Sequence, residues 1–196
     1  MMRTLIITAT LSLGAAGLAP QSCCAADNEF YAMDNGIRDV KSIADKAALL
    51  RELGYDGVTW RPGTTAEAVK QMTARGVKMH ALMMNLADDD NIGVSLTLCH
   101  QLKLQGVQDL APLLKKALPG LFIVQVSGAE SGDTRSMGWD KLIQPLGQGS
   151  YDVNGLLQIL EDLGYQGPIG VIGFGIRQPA SQHLRQSIAF WRGTGE

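Results

Sequence analysis

Along 39–53 the apolar residues Val40, Ile43, Ala47 and Leu50, flanked by Leu49 and Leu53, recur at helical spacing, and Gly54 follows where a helix would stop. The next six residues, YDGVTW, read as a strand. Thr64 then opens a capping box closed by Glu67, leading a helix to about Arg75 that Gly76 ends, and VKMHALMM returns to strand character. The same grammar recurs near the C-terminus. LLQILEDLGYQGPIGVIGF repeats the L-G-Y-x-G of ALLRELGYDGVTW: Leu-Gly closes the helix, Tyr covers the join and the second Gly opens a buried strand. Further strands are expected near 29–33, 92–98 and 121–127, with helices near 109–117 and 153–163. A last helix is opened by Pro179 and carries Leu184, Ile188 and Trp191 on one face.

Strands alternating with helices predict an α/β fold with about six mainly parallel strands, open or closed as a barrel. One junction breaks the rhythm. Between strand-like 77–84 and 92–98 lies a stretch containing Asp88, Asp89 and Asp90, and a parallel connection normally needs a dozen or more residues. Residues 85–91 span at most about 25 Å when fully extended. Two arrangements are therefore expected: the flanking segments pair antiparallel through a turn at the aspartates, or they lie parallel across a taut connection with no helix over it. The second leaves the sheet uncovered at this seam, which invites homo-oligomerisation. The three aspartates lack the spaced oxygen ligands of a calcium loop and read as turn residues.

Composition adds limits. The chain has 196 residues, 45% apolar and 18% charged, enough for one domain with a sizeable core. A net charge of −2 offers no electrostatic footprint for nucleic acid. The first 26 residues form a separate object: Arg3, an apolar run over 5–18 and the small residues Cys24, Ala25 and Ala26 read as a secretory signal peptide. An anchor helix is disfavoured because Gly14, Gly17 and Pro20 break a run too short to span, and the residues before Cys23 make a poor lipobox. The expected product is an exported single domain, residues 27–196, with no membrane span after processing. Cys99 is then its one cysteine, so an internal disulfide is not available.

The segments KAALLRELGYDGVTW, NIGVSLTLCHQLK, LFIVQVSGAE with GWDKLIQPLGQGSYDV, and LGYQGPIGVIGFGI with HLRQSIAFWRG resemble the xylose isomerase-like TIM barrels, the sugar phosphate isomerase/epimerases. The resemblance implies eight βα units with chemistry at the carboxyl ends of the strands. Only six are counted here, so the two middle units are missing and the aspartate stretch is the seam. The family holds a divalent metal, such as Mn, Mg, Co or Zn, with two Glu, an Asp and a His, and moves a proton between carbons. One Glu belongs to the missing middle. The position of the Asp is Thr97, that of the His is Ile123 in Ile123-Val124-Gln125, and that of the last Glu falls near Ile172. Strand parity independently groups Thr97 with Gly93 and Ser95 on the inward side. No metal is therefore expected.

His100, placed at a strand end, is the candidate acid/base or ligand contact; a structural histidine capping a loop is the alternative. Trp60 and Arg61 end the second strand and are candidates to stack on a sugar and bind an anionic group, as against a core tryptophan beside a solvated arginine. Gln125, Glu130 and Arg135 lie in or after the strand that contacts substrate in the relatives, although SGAESGDTRSMG also reads as a mobile surface loop. His80 is expected in the core and His183 on a helix surface. The resemblance thus points to a sugar isomerase/epimerase-type protein with a small sugar as its partner and catalysis in doubt. The alternative is a non-catalytic carbohydrate-binding or scaffold protein, or a decayed fragment of such an enzyme. A DNA repair endonuclease, also found in the family, is set aside on acidity and export.

Overall fold

The structure is a computed structural model and describes residues 28–60, 66–81 and 93–194. The elements in chain order are β1 (Phe30–Met33), α1 (Ile43–Leu53), β2 (Gly57–Trp60), α2 (Ala66–Thr73), β3 (Lys78–Ala81), β4 (Val94–Thr97), α3 (Leu98–Gln105), α4 (Ala111–Ala117), β5 (Leu121–Val126), α5 (Trp139–Leu142), α6 (Val153–Asp162), β6 (Ile169–Val171) and α7 (Ala180–Trp191). The strands form one sheet in the order β3-β2-β1-β6-β5-β4, and every pair is parallel. This is an open, incomplete barrel-like α/β fold.

The expectation for the seam is half corrected. Segments β3 and β4 run parallel but are not partners: they occupy opposite edges of the sheet. No antiparallel pairing joins them among the described residues, because β1 takes β2 and β6 as neighbours and leaves β3 and β4 at the two ends of the strand order. The connecting aspartates lie outside the described residues, as do the leader and Thr64.

The L-G-Y-x-G joins work as their chemistry requires. Ser42 caps α1 by accepting from the Asp45 amide at 3.0 Å, and Gly54, with φ of 82°, ends it in the left-handed conformation open to glycine. Asp152 caps α6 by accepting from the Gly155 amide at 2.8 Å, and Gly164 ends that unit with φ of 70°. Each tyrosine then turns its hydroxyl to a carbonyl, Tyr55 to Leu184 and Tyr165 to Pro168, both at 2.9 Å. Burial raises the hydroxyl pKa of both above the usual tyrosine range.

Alternation divides the sheet into two faces. Phe30, Ala32, Val58, Leu96, Val124, Val126, Ile169 and Val171 turn to the helices and form the main core. Phe30 stacks on Trp191 of α7, rings 4.3 Å apart and 7° from parallel, and on Tyr55. The other face carries Tyr31, Thr59, Ile123 and Gln125, all buried although no helix among the described residues is packed on it. Curvature explains this. A Cβ placed on Gly170 of β6 would lie 3.7 Å from Ile123 of β5 and 3.8 Å from Thr59 of β2, yet β2 and β6 are separated by β1, about 10 Å in a flat sheet. The concave face has curled in, so that side chains of β2 and β5 meet over β6.

Candidate functional site

Chemistry in a parallel sheet of this kind sits at the carboxyl ends of the strands. Here the described part of that rim consists of the segments after β1, β4, β5 and β6. After β1, Asp34 is buried and forms an ion pair with Lys46 of α1, itself nearly buried, which holds the β1 to α1 connection against the helix. Just beyond, Gly36 meets Gly173 of the β6 segment backbone to backbone: a Cβ on Gly36 would lie 2.9 Å from the Gly173 Cα. Only two glycines permit this approach. Beneath them His183 donates from Nε2 to the Gly36 carbonyl at 2.8 Å. Burial pushes its pKa below the ordinary histidine value, against the opposing effects of that bond and of Asp39. Asp39 in turn accepts from the Ala180 amide at 3.0 Å, which ties the β1 segment to the start of α7.

His183 is therefore not on a helix surface. It belongs to the buried stripe of α7 with Ala180, Leu184, Ser187, Ile188 and Trp191, a spacing readable from sequence once the helix is placed.

Above the glycine contact lies a cavity of about 380 Å³, lined by Asn35, Arg38, Arg177 and Gln178 among others. The segment 175–178 separates it from a second cavity of about 380 Å³ that includes Asp140, Gln144 and Gln148. Asn35 Oδ1 and Gln178 Oε1 are buried with no hydrogen-bond donor. Neither residue stood out in the sequence, since isolated amides in loops carry no spacing signal.

The residues singled out from sequence are not gathered at this cavity. His100 does not end a strand: β4 stops at Thr97 and passes directly into α3, where His100 is exposed and edge-on to Trp139, ring centres 5.5 Å apart. Gln125 is buried on the concave face and accepts from the Thr97 hydroxyl at 3.1 Å. Glu130 accepts from Ser150 at 2.9 Å, and the hydroxyl of Ser150, then the amide of Gln144, hold its carboxyl below the usual range. Arg135 donates to the Gln105 carbonyl at 2.9 Å, closing the end of α3. Thr134 donates to Leu102 at 2.6 Å and Lys103 to the carbonyls of Arg135 and Met137, so this loop is pinned rather than free. Trp60 ends β2; its side chain, that of His80, and Arg61 lie outside the described residues.

The positions that the resemblance assigns to metal ligands do not fit a divalent ion. Thr97 gives its proton to Gln125, Ile123 is a buried hydrocarbon among the concave-face residues, and Ile172 is buried in the main core. Among the described residues no three His, Cys, Asp or Glu side chains converge.

No protein-family model matches the chain, and no match is found among the curated proteins. Solved structures do match. A xylose isomerase-like TIM barrel/4-hydroxyphenylpyruvate dioxygenase fusion protein superposes with a TM-score of 0.59 at 14% identity, covering 83% of this chain and 42% of the other. The chain thus spans less than half the length of that protein. A xylose isomerase domain containing protein from Salmonella typhimurium gives a TM-score of 0.49 at 12% identity, covering 84% and 94%. An L-ribulose 3-epimerase gives 0.41 at 15%, covering 81% and 67%. At these identities it is the fold that is established, and it rests on the first: the chain has an incomplete TIM-barrel-like α/β fold, its described strands forming one parallel sheet in which β3 and β4 are unpaired edges among the described residues.

Proposed function

We propose that the protein binds a small sugar or sugar derivative at the carboxyl rim of its sheet and does not carry out metal-assisted isomerisation. The observation behind this reading is the Thr97–Gln125 pair beside Ile123: neutral, already hydrogen-bonded or apolar side chains stand where the resemblance calls for charged and imidazole ligands. Metal-assisted proton transfer between carbons needs a base of suitable pKa and ligands for the polarising cation, and these side chains supply neither. A sugar ligand is supported by the fold likeness and by the sequence resemblance that preceded it. In this reading His100, Trp60, Arg61, Gln125, Glu130 and Arg135 are ligand contacts to be tested one by one, the protein acts after export, and its uncovered seam favours self-association.

Isothermal titration of the mature chain with pentoses, hexoses and inositols, with Mn²⁺ and again with chelator, tests the core of the proposal. Saturable binding that survives chelator, without interconversion of the sugar by carbon-13 NMR, is expected. His100→Ala should weaken that binding with little change in melting temperature. Mn²⁺-dependent interconversion of any of these sugars would overturn it.

A further inference from the structure

The sequence contains two Asn-Gly pairs, Asn35-Gly36 and Asn154-Gly155. In an open chain such a pair deamidates without a catalyst, because glycine has no Cβ to obstruct the approach to its own nitrogen. At the first pair, the Gly36 amide nitrogen would give up its proton to solvent and bond to Asn35 Cγ; the Cγ–Nδ2 bond breaks, and the amino group takes up a proton and leaves as ammonia. Water then opens the succinimide ring at either carbonyl. The product is aspartate or, with the main chain rerouted through the side chain, isoaspartate. The fold treats the two pairs differently. Asn154 lies in the first turn of α6, where the Gly155 amide already donates to Asp152 at 2.8 Å. Asn35 sits in a single 3₁₀ turn, Asp34–Gly36, closed by the Ile37 amide on the Asp34 carbonyl at 3.0 Å. No donor among the described residues holds its Oδ1.

Ring closure requires Asn35 to leave helical backbone angles, since a 3₁₀ ψ of about −20 to −30° keeps the Gly36 nitrogen out of reach of Cγ. What resists that rotation is the joint built around the turn. The Gly36 carbonyl accepts from His183 at 2.8 Å, and a Cβ on Gly36 would stand 2.9 Å from the Gly173 Cα. Asp34, which opens the turn, is ion-paired with Lys46. The close approach to Gly173 also disfavours any side chain at position 36, so the labile pair is part of the joint itself. From this arrangement we infer that Asn35-Gly36 is a deamidation site gated by the joint between the β1 and β6 segments: protected while the joint is closed, reactive once it opens, and a bar to closing afterwards. The last step follows from the product. An isoaspartyl link adds one backbone carbon between residues 35 and 36, so the Gly36–Gly173 approach and the His183 bond cannot both be restored. The site therefore marks chains that have opened at this joint, and it is independent of any ligand.

The test follows both pairs in one experiment. The full mature chain is incubated at pH 8, folded and in guanidinium chloride, and its tryptic peptides are read by mass spectrometry for replacement of the amide NH₂ by OH. Isoaspartate is scored separately with an isoaspartyl methyltransferase. The folded chain should deamidate at Asn35 at least ten-fold more slowly than the unfolded one. His183→Leu, which removes the donor to Gly36, and Gly173→Ala, which forces the two backbones apart, should each speed Asn35 at least three-fold in the folded chain and leave Asn154 unchanged. Asp152→Ala should do the reverse, speeding Asn154 alone. Chains carrying isoaspartate at position 35, separated by ion exchange, should melt below unmodified chains. Equal rates at Asn35 in the folded and unfolded chain, no reaction at Asn35 in the unfolded chain, or an unchanged melting temperature of the isoaspartyl chains overturns the inference. So does a joint variant that is folded by circular dichroism yet leaves the Asn35 rate unaltered. Where a joint variant fails to fold, the comparison of folded with unfolded wild-type chain and the melt of the modified chains decide.

Discussion

Two glycines three residues apart should respond to alanine in opposite ways. At Gly173 a new Cβ would stand 2.8 Å from the Gly36 Cα and 2.9 Å from His183 Cε1, closer than real contacts allow. The first obstacle is backbone, and the second is a ring fixed by its 2.8 Å bond to the Gly36 carbonyl, so neither yields easily. Overpacking of this kind costs about 1–3 kcal/mol, or a fall in melting temperature of about 2–4 °C per kcal/mol for a domain of this size. At Gly170 the nearest atoms would be 3.7–3.8 Å away, ordinary van der Waals distance. Gly170→Ala should therefore be neutral or stabilising by up to about 1 kcal/mol, because alanine narrows the unfolded ensemble. Urea unfolding followed by far-UV circular dichroism measures both variants under one protocol, and m should not change. Equal stabilities within about 0.5 kcal/mol for the two variants would refute the backbone-contact argument.

Three further outcomes are expected. His183 has a folded pKa below its unfolded value, so the unfolded chain binds its proton first. Stability from this group is complete above about pH 6.5 and is lost as pH falls from there toward the folded pKa; His183→Gln should flatten that dependence in a urea-midpoint series between pH 5 and 8. Lys46→Met should destabilise by about 3 kcal/mol or more by leaving the buried Asp34 carboxylate without its ammonium, whereas Arg185→Gln, which breaks an exposed pair with Glu52, should cost less than about 1 kcal/mol by the same melt. Dialysed mature protein should retain no stoichiometric divalent ion by mass spectrometry, and its melting temperature should not move with chelator.

The βα rhythm was legible because its signals are local. Leu-Gly-Tyr marks a helix ending in a left-handed glycine, and strand parity correctly put Leu96 with the core and Thr97 on the concave side with Gln125. What was not legible depends on long-range geometry. The segment after Thr97 reads as a continuing apolar strand until Cys99 and Leu102 reveal a helical stripe, and no side-chain cap announces the change. His100 therefore lies three residues beyond the carboxyl end of β4, exposed in the first turn of α3. The cavity escaped notice for a related reason: Asn35 and Gln178 are brought together by the β1–β6 pairing, which is a property of sheet order and not of either segment.

That pairing also has a kinetic meaning. The sheet consists of two runs of three strands, β1 to β3 and β4 to β6, each built from sequence neighbours and joined only where β1 meets β6. The hydrogen bond from Asn28 to Gly167 beside this joint closes a loop of 139 residues. During synthesis the first three strands must wait, with β1 an open edge and Phe30 without its Trp191 neighbour, until β6 and α7 have emerged. The arrival of β6 and α7 therefore unites two half-sheets and closes the cavity between the β1 and β6 segments in one step, so that a chain halted before β6 has neither.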